Sequence, residues 1–177
     1  QNFELAAEYR DRIRALTYIQ STTDVFARTI EEADIISLAQ EGGQSCIQVF
    51  FFRAGSNLGN KAYFPRHDKD TPADEILESY IIQFYESRQS PRKILLNLTL
   101  PNKSLLEEAL SLKQDYKVSL TAPKRGEKAD IVAHTAPNAK EALARKLSET
   151  ASQQNLLSAV AETFNLEAPI RRIEVFD

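Results

Sequence analysis

CIQVFFFRAGSNLGNKAYFPR, residues 46–66, decides the fold. Ile47 and the run Val49–Phe52 are apolar on both faces, as in a central strand covered on two sides. Gly55-Ser56-Asn57 breaks the run, and a second strand-like stretch follows from Leu58 to Phe64. Two such runs around a short Gly/Asn turn predict a β-hairpin.

Upstream, Asp34–Ala39 (DIISLA) reads as a short strand and Glu41-Gly42-Gly43-Gln44 as a turn, because Gly tolerates positive φ. Three strands with tight turns make an antiparallel meander. Arg66–Asp70 is a charged loop. Thr71 is placed to cap a helix, with Pro72 at its first position and Asp74 and Glu75 at the positive end of its dipole. Ile76, Leu77, Tyr80, Ile81 and Phe84 form one apolar face, and Ser90-Pro91 stops the helix. KILLNL (93–98) is a buried strand. Pro101-Asn102 opens a helix with Leu105, Leu106, Ala109 and Leu110 facing inward, and KVSL (117–120) is a short strand. Thr121–Pro137 reads as a polar loop. A long helix follows from about Asn138 to Phe164, with Leu143, Leu147, Leu157, Val160, Ala161 and Phe164 near one stripe. Its polar middle, Ser148–Asn155, allows a break.

The order β-β-β-α-β-α-β-α, with strands joined through helices running parallel, predicts an α/β ribonuclease-H-like mixed sheet over residues 32–165 with helices on both faces. Fold order alone says nothing about activity. Before it, the first 28 residues read as helix, with FELAAEYRDRIRAL free of Gly and Pro. Phe3, Ala6, Ala7, Ile13 and Leu16 fall near one stripe, which packs either on this domain or on a partner. RIEVF (172–176) reads as a further strand.

The 177 residues carry 42% hydrophobic and 27% charged residues, a globular balance. No apolar run approaches the ~20 residues of a membrane span, so no membrane contact is expected. The net charge of −3 excludes a polycation and confines any nucleic-acid contact to a local patch. A lone cysteine inside a strand predicts a buried, inert thiol in a cytoplasmic protein. The start at Gln1, the absence of Met and the stop at Asp177 after a strand predict an excised piece cut within a following domain.

Nucleases of this fold seat two metal ions on an Asp inside the first strand, a Glu on the first helix and an Asp ending the fourth strand. This chain offers Asp34 at the strand's entrance, Glu78 on the helix, and neutral Asn97, a poor ligand for a hard cation. Asp34 and Glu78 are expected as solvated or capping groups, and no metal site is expected within residues 32–165. His67 and His134 lack metal-ligand spacing and are expected on the surface. Lys124, Arg125 and Lys128 make a basic patch, read either as solvated charge or as a DNA-phosphate contact that Gly126 would let the backbone approach.

Several stretches resemble the UvrC family of bacterial UvrABC nucleotide excision repair. FELAAEYRDRIRAL resembles the second half of the UVR motif through Phe3, Glu4, Ala6, Ala7, Arg10, Asp11, Ile13 and Leu16. VFFFRAGSNLGNKAYFPRH resembles a central segment of the family, PKRGEKADIVAHTAPNA the loop before its long helix, and RRIEVFD the start of its endonuclease domain. The resemblance implies that residues 1–31 are a UvrB-docking helix and linker, with contacts through Phe3, Glu4, Ala6, Ala7, Arg10, Asp11 and Ile13. It implies a non-catalytic domain over 32–165, and at 170–177 the first strand of a nuclease whose first catalytic carboxylate is Asp177. It further implies damaged double-stranded DNA as the substrate of the parent protein, Mg²⁺ or Mn²⁺ as the cofactor of its nuclease, and no cofactor in this region. A free-standing metal-dependent nuclease and a DNA-gripping module are the alternatives.

Overall fold

The computed structural model describes residues 30–166. The helix expected over the first 28 residues and the strand expected at 172–176 lie outside them. So do Phe3, Glu4, Ala6, Ala7, Arg10, Asp11, Ile13 and Asp177.

The described residues form a five-stranded sheet: β1 (Ala33–Glu41), β2 (Gln44–Arg53), β3 (Ser56–Tyr63), β4 (Lys93–Leu96) and β5 (Ser119–Thr121). Its spatial order is β3-β2-β1-β4-β5. The meander pairs antiparallel, and β4 and β5 add parallel to β1, as their helical connections require. The helices are α1 (Ala73–Glu86), α2 (Lys103–Gln114) and α3 (Glu127–Thr163). This is the expected ribonuclease-H-like order.

Both hairpins close through two residues. Gly42 and Gly43 separate the paired Glu41 and Gln44, and Ala54 and Gly55 separate Arg53 and Ser56. All four have positive φ, the sign pattern of a type I′ turn that matches strand twist. The second break is therefore Ala54-Gly55. Ser56 and Asn57, expected in the turn, already belong to β3, where the Asn57 carboxamide accepts the Gly59 N–H.

The period-2 pattern of β1 and β2 splits the core. Ile36, Leu38, Ile47 and Val49 meet Ile76, Leu77, Ile81 and Tyr85 of α1 and Leu106 and Leu110 of α2. On the other face, Ile35, Phe50, Phe52 and Leu95 meet Ile131 and Val132 of α3, and farther along Ala39 and Cys46 meet Ala139, Ala142 and Leu143. Thus α3 runs along β1 in the same direction as the strand.

Local expectations needed correction. Thr71 does not cap α1. Pro72, in extended conformation, is the N-cap, and its carbonyl accepts the Ile76 N–H, while the Thr71 carbonyl accepts Gln40 Nε2. In α2 only Leu106 and Leu110 are buried, whereas Leu105 and Ala109 are exposed, because the inward stripe is narrower than the apolar one. The largest correction is α3. The stretch 127–137, expected as loop, is helix, and Pro137 lies within it. Pro137 has no N–H for the fourth carbonyl back, a loss the helix absorbs because buried Ile131, Val132, Thr135, Ala139, Ala142 and Leu143 dock it on both sides of that point. The helix also runs unbroken through its polar middle. Beyond partly buried Leu147 it carries no buried residue.

Cys46 is buried, as expected. Burial pushes its thiol from 9.0 up to about 11, against the opposing charge of Arg145. Its thiol should react slowly with Ellman's reagent at pH 8 in the folded protein and quickly in urea. Rapid labelling without denaturant would contradict the packing. The fold also holds that proton more tightly than the unfolded chain does. The stability it contributes is complete below pH 9 and is lost as pH rises through about 11. Burial of Tyr80 and Tyr85 acts in the same direction.

Candidate functional site

The three positions where this fold would seat a metal pair are each committed elsewhere. Asp34 is 1% exposed, so it is not the solvated group expected from its place at the strand entrance. Its Oδ1 accepts Arg53 Nη1 at 2.7 Å and its Oδ2 accepts the Tyr85 hydroxyl at 2.6 Å. The same guanidinium nitrogen reaches the Phe52 and Ala33 carbonyls at 2.8 and 3.3 Å, and Glu32 approaches Arg53 Nε at 3.7 Å. Burial works against the Arg53 charge, but the bond to Asp34 and that carboxylate's charge outweigh it and hold the guanidinium above its ordinary pKa. Burial, reinforced by the Asp34 charge, raises the Tyr85 phenol well above its usual range.

Glu78 acts as a capping group. From α1 it accepts the Asn102 backbone N–H and Nδ2, both at 2.9 Å, at the start of α2. Asn97 follows β4 and uses its carboxamide as an extra rung of the sheet. Its Oδ1 accepts the Leu38 N–H at 3.0 Å and its Nδ2 donates to the Leu38 carbonyl at 2.9 Å. Leu38 lies four residues beyond Asp34, about 13 Å along a strand. Ligands of one hard cation lie within about 2.0–2.6 Å of it. Among the described residues, no group of three or more His, Cys, Asp or Glu is disposed to hold a metal. Asp34, Glu78 and Asn97 do not fit a divalent pair.

The basic patch lies in one exposed stretch around the start of α3. Lys124 and Arg125 end the loop after β5, Gly126 caps α3 with φ 76°, and Lys128, expected in the loop, sits in the helix's first turn. All three cations are exposed, beside Glu127 and Asp130. His134 is also on α3. His67 Nδ1 lies 2.8 Å from the Asp68 carbonyl.

The sequence reading missed a second basic site. A surface cleft of about 460 Å³ is lined by Gly43, Gln44, Ser45, Phe64, Pro65, Arg66, His67 and Lys146. It lies at the β1–β2 turn, the opposite end of β1 from Ala33, beside which Lys128 sits. The signal was present in FPRH (64–67), where an aromatic residue is followed by two basic ones. What could not be read was that Lys146, 79 residues or more away, joins them, because that requires α3 to lie along β1.

Residues 32–146 match the family described as UvrC Ribonuclease H-like domain, and residues 1–19 match the UvrB/uvrC motif. UvrABC system protein C of Bradyrhizobium diazoefficiens is 51% identical over 99% of this chain and 26% of its own length. The Brucella abortus protein of the same name is 49% identical over 99% of this chain and 29% of its own. The chain thus spans about a quarter of the length of these relatives. A solved Bacteroides thetaiotaomicron protein with an actin-like ATPase fold covers 63% of this chain and 42% of its own at 17% identity, with a TM-score of 0.38, too low to carry an argument. The ribonuclease-H-like order, the match across 32–146 and the identity along nearly the whole chain have one meaning: this chain belongs to the UvrC family.

Proposed function

We propose that this chain is the central, non-catalytic part of a UvrC protein, which docks UvrB and positions flanking nuclease domains on damaged double-stranded DNA. The observation that carries this reading is the commitment of Asp34, Glu78 and Asn97 to an ion pair, a helix cap and a sheet rung. Hydrolysis then belongs to other domains of the parent protein. Mg²⁺ or Mn²⁺ would serve there, with Asp177 as a first carboxylate. Docking is assigned to residues 1–31, through Phe3, Glu4, Ala6, Ala7, Arg10, Asp11 and Ile13. Support comes from the match of residues 1–19 to the UvrB/uvrC motif. The unit over 32–165 is the scaffold, and residues 170–177 open the next domain. The proposed place of work is the cytoplasm; among the described residues no helix is long and apolar enough to cross a membrane.

Docking is tested by affinity. Phe3→Ala should weaken pairing with UvrB at least about tenfold, the effect of losing a buried aromatic anchor. Unchanged affinity would assign that apolar stripe to this chain's own core.

A second reading has Lys124, Arg125 and Lys128 gripping DNA phosphates. Their shared exposure at the positive end of α3 favours it.

A further inference from the structure

The cleft at the β1–β2 turn has features that no part of the scaffold role requires. Three of its lining residues are basic, Arg66, His67 and Lys146, and none is acidic. The stem of Lys69 passes over Gly43 so closely that a Cβ there would meet Lys69 Cγ at 2.8 Å. Phe64, which lines the same cleft, is 42% exposed, a large apolar ring left in water. Ser45, also lining the cleft, is 1% exposed, and its buried hydroxyl has no hydrogen-bond partner in the protein. A buried hydroxyl normally has one. His67 Nδ1–H donates to the Asp68 carbonyl at 2.8 Å, which holds the ring in place at the cleft.

Cations, an unsatisfied hydroxyl and an open aromatic face together suit a ligand that is both phosphorylated and flat. The volume is that of a small-ligand pocket rather than of a lone ion. A ring can stack only on a base that has left the duplex stack. We propose that this cleft binds a nucleotide of single-stranded DNA, with its phosphate on Arg66 and Lys146 and its base on Phe64. The inference extends the proposed role on DNA, and it places the contact at the opposite end of β1 from Lys124, Arg125 and Lys128.

The test uses the 177-residue chain, fluorescein-labelled oligo(dT) of 20 residues, and a salt series. Phe64→Leu should weaken binding about 5- to 150-fold by removing one stacked base. The double variant Arg66→Gln/Lys146→Gln should make the log–log salt slope shallower by about 1.4. Circular dichroism melts verify that each variant is folded. Wild-type affinity and slope in both variants would overturn the proposal. If the triple variant Lys124→Gln/Arg125→Gln/Lys128→Gln then lost binding, DNA would belong to that loop instead. If only the charge variant weakened binding, and inorganic phosphate competed as well as dTMP, the cleft would be a bare anion site and the nucleotide assignment would fall. If dTMP competed as well as oligo(dT) per nucleotide, the ligand would be a free nucleotide and the strand assignment would fall. If the wild-type chain bound no oligonucleotide at 50 mM salt yet still paired with UvrB, this inference would fail and the docking role would stand.

Discussion

Replacing Arg53 with alanine should lower stability by about 3–5 kcal/mol in urea unfolding, because it strands a buried charge. Asp34 is 1% exposed, and Arg53 is its only ionic partner among the described residues. The substitution also removes the donor to the Phe52 and Ala33 carbonyls. The side chain of Arg53 is 31% exposed, so water can enter behind it and the lower end of the range is expected. Asp34→Asn should cost less, about 1 kcal/mol. A carboxamide can still accept from Arg53, and the Tyr85 hydroxyl can rotate to accept from its N–H. A loss below 1 kcal/mol for Arg53→Ala, with an unchanged urea slope, would mean that Asp34 finds another partner. The network would then not be what ties β1, β2 and α1 together.

The second large effect divides α3 in two. Ile131→Ala should cost about 2–5 kcal/mol. Ile131 is 1% exposed and packs among Ile30, Ala33, Ile35, Phe50, Phe52, Leu95 and Val132, so the sheet cannot collapse into the space it leaves. Leu156→Ala, on the same helix but 68% exposed, should stay within about 0.5 kcal/mol. Equal costs would mean that the helix beyond Leu147 is held by this domain as firmly as its first turns. Near-zero costs for both would remove α3 from the core.

Where the sequence carried a period, the fold could be read from it. The meander, five of the six inward residues of α1, and the parallel addition of β4 and β5 follow from alternation, the helical period and the helical connections between strands. The start of α3 was missed because Pro137 and the charges of PKRGEK look like punctuation. Yet Ile131, Val132, Thr135, Ala139 and Leu143 already stand at helical spacings, and packing over that stripe outweighs one missing hydrogen bond. The fate of Asp34 was also within reach. The two-residue turn at Gly42-Gly43 sets Asp34 opposite Phe51, which puts Arg53 two residues on along the same face. Tyr85 was beyond reach, because its hydroxyl meets Asp34 only after α1 docks. The basic cleft was hidden for the same reason, since α3 must lie along β1 before Lys146 can join Arg66 and His67.

In the proposed role the ribonuclease-H-like domain supports incision without performing it. The deciding measurement incubates the whole chain with nicked or damaged duplex in Mg²⁺ and again in Mn²⁺. Intact strands are expected in both, and in the Glu78→Gln and Asn97→Ala variants alike. Cation-dependent cutting by the wild-type chain that either variant abolishes would contradict the account.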